Sequence, residues 1–262
     1  MKKIIIAMAA IALAACAGKP AFDPAAVADA TAEQVTRVEP LSWWTGMKMP
    51  LQLMVQGENI SEYDVAVEGG KGVEVEKVNK ADSPNYLFVD VKIAANAQPG
   101  TYYIVFSKDG ESFKYPYEIA ARREGSAERT SFTTADMIYL IMPDRFANGD
   151  PSNDSVEGMP DKADRSKPFG RHGGDIQGII DHLDYISELG ATAIWCTPLI
   201  EDNLEKTTYH GYACTDYYHI DARFGDNDLF KTYVEKAHEK DIKIIMDIVP
   251  NHAGSGHWWM SD

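Results

Sequence analysis

Three clusters of polar residues have types and spacings suited to chemistry. Asp247-Ile248-Val249-Pro250-Asn251-His252 closes an apolar run that starts at Ile242. A carboxylate ending a buried strand is costly unless it is paired, and an arginine from a neighbouring strand is the expected partner. His252 lies just past the strand, where a ligand would sit; a structural histidine is the equal alternative. Tyr209-His210-Gly211-Tyr212 follows an earlier apolar run, with Asp216-Tyr217-Tyr218 close behind. An aromatic ring beside a small residue can lie flat on a sugar face, and a histidine beside it can donate to hydroxyls. Aromatic packing at a rim explains the same residues equally well. In the third cluster Asn148, Asp150, Asn153 and Asp154 crowd four side-chain oxygen donors into seven residues, and Asp175 can return from the Gly173-Gly174-Asp175 segment. Ca²⁺ takes 6–8 such oxygens. A solvated Asn/Asp/Gly/Pro turn is the competing reading, and the spacing is not that of an EF-hand.

The elements that must position these clusters fall into two grammars. From Val38 to about Ala121, short alternating apolar runs are broken by turn signals. Leu87-x-Val89-x-Val91-x-Ile93 alternates cleanly, and Asp109-Gly110 reads as a tight hairpin turn. About seven such strands describe an immunoglobulin-like β-sandwich. Residues 122–135 read as a linker. Beyond it Met137–Met142, Ala191–Cys196 and Ile242–Val249 are continuous apolar runs, hence strands expected to be buried on both faces. Between them Ile176, Ile179, Ile180, Leu183, Ile186 and Leu189 recur at helical spacing up to Gly190. Asp226 can cap a second helix carrying Leu229, Phe230, Tyr233, Val234 and Ala237. Strand–helix–strand–helix–strand means parallel pairing with right-handed crossovers. A closed (β/α)₈ barrel takes about 250 residues. Residues 136–262 therefore suit either a small open sheet or the first three β/α units of a TIM barrel. The long polar loops after the first two strands favour the barrel, incomplete in this chain.

The formal net charge is −15 over 262 residues, and no basic stripe is present to neutralise phosphates. Nucleic acid is thus excluded as a partner. Residues 1–15 read as a signal peptide: Lys2 and Lys3 precede an apolar run from Ile4 to Ala15, too short to span a bilayer. The run ends in Leu13-Ala14-Ala15-Cys16, which resembles a bacterial lipobox, with Cys16 the lipidated residue. A plain signal peptide with a chance cysteine is the alternative. Residues 16–37 read as a tether, and the expected location is the periplasm or cell envelope, with the membrane engaged through a lipid anchor. Cys196 and Cys214 are expected as buried free thiols.

Taken together, in this order, the three clusters resemble the α-amylase family of glycoside hydrolases. Asp247 to His252 is similar to that family's first conserved region. Arg145-Phe146-Ala147-Asn148-Gly149-Asp150-Pro151-Ser152-Asn153-Asp154 with Gly173-Gly174-Asp175 resembles the calcium loop of the neopullulanase and cyclomaltodextrinase branch. Glu39-Pro40 and Trp43-Trp44-Thr45-Gly46-Met47 resemble the N-terminal sandwich of that branch. The resemblance implies retaining hydrolysis of α-glucosidic bonds in maltooligosaccharides, cyclodextrins, pullulan or starch by two carboxylates about 5–5.5 Å apart. It implies that Tyr212 stacks on a glucose ring, that His210 and His252 bond the same sugar, and that Asp247 orients an arginine. Asn251 would brace the loop. Asn148, Asp150, Asn153, Asp154, Asp175 and the carbonyl of Gly173 would bind Ca²⁺. The nucleophile and the general acid belong to later strands of the family's barrel, so no catalytic residue is assigned here and the chain alone is expected to be inactive. A homodimer through the N-terminal domain is also implied. Trp43 and Trp44 suit sandwich packing better than a starch platform, and Trp258 and Trp259 are left open. The alternative function is a lipid-anchored, non-catalytic α-glucan-binding protein.

Overall fold

The computed structural model describes residues 34–260; the signal peptide, Cys16 and most of the tether lie outside the described residues. Eight strands form the N-terminal domain: β1 (Arg37–Glu39), β2 (Ser42–Trp44), β3 (Leu51–Gln56), β4 (Asp64–Glu68), β5 (Val73–Lys80), β6 (Tyr86–Ile93), β7 (Gly100–Lys108) and β8 (Glu111–Ala120). They make two four-stranded sheets, ordered β1-β3-β6-β5 and β2-β8-β7-β4. Alternation explains the sandwich. Leu51, Leu53 and Val55 of β3 point inward with Leu87, Val89 and Val91 of β6, and meet Ile104, Phe106 and Ile119 from the other sheet. The count exceeds the expected seven because Pro40 splits one short extended stretch between the two sheets, β1 pairing with β3 and β2 with β8. Trp43 packs against the sandwich core, while Trp44 is exposed.

Three parallel strands follow: β9 (Ile138–Ile141), β10 (Ala193–Cys196) and, later in the chain, β13 (Lys243–Met246), in the order β13-β10-β9. A short antiparallel pair, β11 (Ile200–Glu201) and β12 (Asp216–Ile220), lies on the loop after β10. The helices are α1 (Pro143–Phe146), α2 (Ile176–Asp181), α3 (Leu183–Glu188) and α4 (Asn227–His238). The single helix expected over 176–189 is divided at His182. The His182 ring donates from Nδ1 to the carbonyl of Gly178 at 2.7 Å, and its backbone N–H donates to the carbonyl of Ile179. Gly190, at φ +89, follows α3. Asp226 caps α4 by accepting from the Leu229 N–H at 2.7 Å, as the sequence predicts.

Burial on both strand faces is the expectation that the structure corrects. One face, with Ile141, Ile194 and Cys196, packs on Ile179, Ile186, Tyr233 and Ala237 of the helices. The other face is open among the described residues: Leu140 of β9 is 55% exposed, and Ile138 and Trp195 are exposed beside it. Register aligns Leu140, Trp195 and Ile245 across the three strands, so the open face is one continuous apolar row. These units form an arc whose concave side is not closed, which is the start of a barrel.

A buried polar knot ties the loops above this arc. Arg223, fully buried, grips Asp221 through Nε at 2.9 Å and Nη2 at 2.7 Å, and donates to the carbonyls of Asp202 and Asp161. Asp202 accepts from the Ala213 N–H at 3.2 Å, but its Oδ1 is buried with no partner. Burial, only partly offset by such backbone donors, pushes the Asp202 carboxyl from an ordinary 3.8 up to about 6. Between about pH 4 and pH 6 the folded chain thus holds a proton there that the unfolded chain has released. The contribution of Asp202 favours folding below about pH 4 and is lost as pH rises through 6. Asp202→Asn keeps an acceptor for Ala213 and removes the buried charge. It is expected to stabilise the chain by up to about 3 kcal/mol above pH 7 and by almost nothing at pH 4. Denaturant melts at the two pH values check this, and equal effects at both would contradict it.

Candidate active-site cleft

The residues expected at a sugar site converge beyond the C-terminal ends of β10 and β13. Asp247 directly follows β13. Its Oδ2 accepts from the Trp195 indole N–H at 3.0 Å and from the Tyr212 hydroxyl at 3.1 Å. Two neutral donors thus meet the carboxylate. Trp195 is the residue that sequence reasoning missed. Its signal was available: a large N–H donor sits mid-strand in β10, with alternation aiming it at the open face.

Tyr212 is 38% exposed and held from three sides. Its hydroxyl is on Asp247, its N–H donates to His210 Nδ1 at 3.0 Å, and its carbonyl accepts from His252 Nε2 at 3.1 Å. These contacts assign one tautomer to each ring. His210 accepts at Nδ1, so its proton is on Nε2, where it can serve a ligand hydroxyl. His252 uses its Nε2 proton on Tyr212, and its Nδ1 faces the Asn251 amide at 3.1 Å. In this structure His252 and Asn251 brace the platform. Tyr217 completes the brace, its hydroxyl shared between the carbonyls of Val249 and His252.

Gly211 makes the turn between the two rings. Its φ is +75, and a Cβ there would collide with the Pro198 carbonyl. The turn before it is fixed by Thr208, whose N–H and hydroxyl both donate to Asp161 Oδ2 at 3.0 Å. Buried Arg171 donates to the Thr208 hydroxyl at 3.1 Å. Burial lowers the pKa of His210 below its ordinary value. The phenol of Tyr212 is raised, first by desolvation and then by the charge of Asp247 beside it.

The Asn148–Asp154 loop lies after β9. The Asn148 amide donates to Asp154 Oδ1 at 2.6 Å, and Asn148 Oδ1 and Asn153 Oδ1 are buried without partners. Gly173, at φ +84, faces them, and a Cβ there would collide with Asp154 Oδ1. Asp175 caps α2 through Gly178 at 2.6 Å and also accepts from the Asp150 N–H at 2.8 Å. Asp150 accepts from both the N–H and the hydroxyl of Ser152. Among the described residues no three His, Cys, Asp or Glu side chains are placed to hold a metal between them. The unpartnered acceptors of this loop are the amide oxygens of Asn148 and Asn153.

Trp258 stacks on Tyr86 of the sandwich with ring centroids 6.4 Å apart, under the Arg37 guanidinium at 4.9 Å. It belongs to the domain joint. Cys196 and Cys214 are free and buried, and desolvation pushes both thiols up to about 12. Among the described residues no helix is long and apolar enough to cross a membrane.

Comparison with known proteins gives two family matches. Residues 140–262 match the family described as alpha amylase, catalytic domain, and residues 37–123 match the one described as cyclomaltodextrinase, N-terminal. A cyclomaltodextrinase from Bacillus sp is 44% identical over 118 residues, 45% of this chain and 20% of that protein. Neopullulanase 2 from Thermoactinomyces vulgaris is 46% identical over 131 residues, 47% of this chain and 21% of that protein. A solved α-amylase from Anoxybacillus is 50% identical over 48% of this chain and 26% of its own, with a TM-score of 0.44. The chain spans 10% to 21% of the length of the cyclomaltodextrinase, the neopullulanase and a third curated relative, a beta/alpha-amylase from Paenibacillus polymyxa.

The tautomer assignment is open to test by NMR of the histidine rings. His210 is expected as the neutral Nε2–H form at pH 7 and to titrate below 6.5. A titration midpoint above 6.5, or an Nδ1–H signal, would contradict the geometry.

Proposed function

We propose, from the premise that residues 140–262 belong to the alpha-amylase catalytic-domain family and residues 37–123 to the cyclomaltodextrinase N-terminal family, that this chain supplies the sugar-holding side of a retaining α-glucosidic hydrolase. The observation that carries the reading is the exposed Tyr212 ring. It is clamped by Asp247, His210 and His252 above the ends of two parallel strands. A ring fixed at both its hydroxyl and its backbone offers a rigid apolar face to a glucose ring. The His210 Nε2–H then supplies a directional donor. The substrate class is maltooligosaccharide, cyclodextrin, pullulan or starch. Asp247 orients the platform by accepting from the Tyr212 hydroxyl. No carboxylate of this chain is assigned as nucleophile or acid. Titration calorimetry with maltohexaose tests the reading. Tyr212→Ala is expected to weaken binding about tenfold, while Tyr212→Phe retains most of it. Unchanged affinity in the alanine variant would rule out the platform.

The Asn148–Asp154 loop fits a calcium ion. The unpartnered oxygens of Asn148 and Asn153, Asp154 and the Gly173 carbonyl would hold it. Lone pairs of Asp150 and Asp175 not used by backbone donors would complete the set. The ion would supply charge and rigidity to the loop. Millimolar calcium is expected to raise the thermal midpoint of the chain, by about 2.7 kcal/mol of stability at a hundredfold excess over Kd. Asp154→Ala should abolish the shift. An equal shift in that variant, or none in the parent chain, would refute the site.

An anchored, periplasmic setting rests on Lys2, Lys3 and the Leu13–Cys16 motif, and a homodimer through the sandwich rests on the family of residues 37–123.

A further inference from the structure

The Arg145 guanidinium lies 4.3 Å over the ring of Tyr209. Tyr209 meets His210 edge-on at 5.2 Å, and His210 meets Tyr212 at 5.7 Å. A row of rings thus runs from a cation to the platform. The cation is held firmly at its other end. Arg145 pairs with the buried carboxylate of Asp144 and donates from Nη2 to the Pro168 carbonyl at 3.0 Å. Asp144 is itself fixed by the backbone N–H groups of His172 and Gly173. Arg145 also stands three residues before Asn148, so the loop after β9 and the sugar platform share one bracket.

We propose that Arg145 is a positioning residue for α-glucan binding: its charge over Tyr209 sets the angle of His210, and through it the face that Tyr212 presents. The inference rests on the reading of Tyr212 as a sugar platform. A cation over a tyrosine face is favourable, and its planar guanidinium fixes the ring more tightly than an ammonium would. Removing it frees the Tyr209 ring and lets the His210 ring pivot about its remaining bond, the Tyr212 N–H on Nδ1, without unfolding the turn, because Thr208 is anchored separately by Asp161 and Arg171.

The test uses the full chain with Arg145→Met, Arg145→Lys, Tyr209→Leu and the Met/Leu double variant. Two readouts are taken: the maltohexaose dissociation constant and the ring-current-shifted His210 proton resonances. Arg145→Met is expected to weaken binding about threefold to tenfold and to move the His210 resonances. Arg145→Lys should restore part of both. The double variant should be no worse than either single one, because one contact has been removed from two ends. Unchanged His210 resonances in Arg145→Met, or strictly additive losses in the double variant, would overturn the proposal. If the parent chain binds no maltohexaose, the platform reading fails, and the His210 resonances alone then decide whether Arg145 sets the ring.

Discussion

Asp247, half-buried at the end of an apolar parallel strand, is the acceptor around which the cleft is arranged. Trp195 from β10 and the Tyr212 hydroxyl from the loop beyond it meet the same oxygen. That shared acceptor links β13 to β10 and to the Tyr209–Tyr212 turn, both well before it in sequence. The turn has no regular structure beyond one short helical turn, so its position depends on this clamp and on the Thr208 anchors. The same donors orient Asp247 on the open side of the arc.

The sandwich is joined to this arc by a second polar contact. Arg37 of β1 donates to Asp216 Oδ2 at 2.8 Å, and His219 meets the same oxygen at 3.0 Å. Burial alone would raise the Asp216 carboxyl; hydrogen bonds from His219, Arg37 and the Tyr218 N–H outweigh it and hold it well below the ordinary range. Because β12 carries Asp216 and Tyr217, the joint and the cleft share one strand. The tyrosine that braces the Asp247–His252 loop follows directly on the aspartate that receives the sandwich. The two domains therefore meet through the element that also supports the site.

Much of this was legible in the sequence, for identifiable reasons. Alternation in Leu51–Val55 and Leu87–Ile93 specifies sandwich strands, because a one-residue slip would turn every apolar side chain to water. Asp226 and Gly190 mark helix ends through local chemistry that needs no tertiary partner. His210, Tyr212, Asp247 and His252 were found as separate motifs and meet in space. What sequence reasoning lacked was the connection between them. Trp195 read only as an apolar residue in an apolar run, and its N–H bond depends on a strand 52 positions away. The Arg171, Arg223, Asp202 and Asp221 knot was equally invisible, since each of these residues alone reads as surface. Burial of both strand faces was expected from composition, yet composition says how apolar a strand is and not what covers it.

In the proposed complex a glucan ring lies on the Tyr212 face that Asp247 fixes. Intermolecular nuclear Overhauser contacts between maltohexaose and the chain test this most directly. Strong contacts from sugar ring protons to the Tyr212 ring and the His210 carbon-bound protons, lost in Asp247→Ala, are the predicted result. Sugar contacts confined to Trp44 on the sandwich, with Tyr212 silent, would contradict the account.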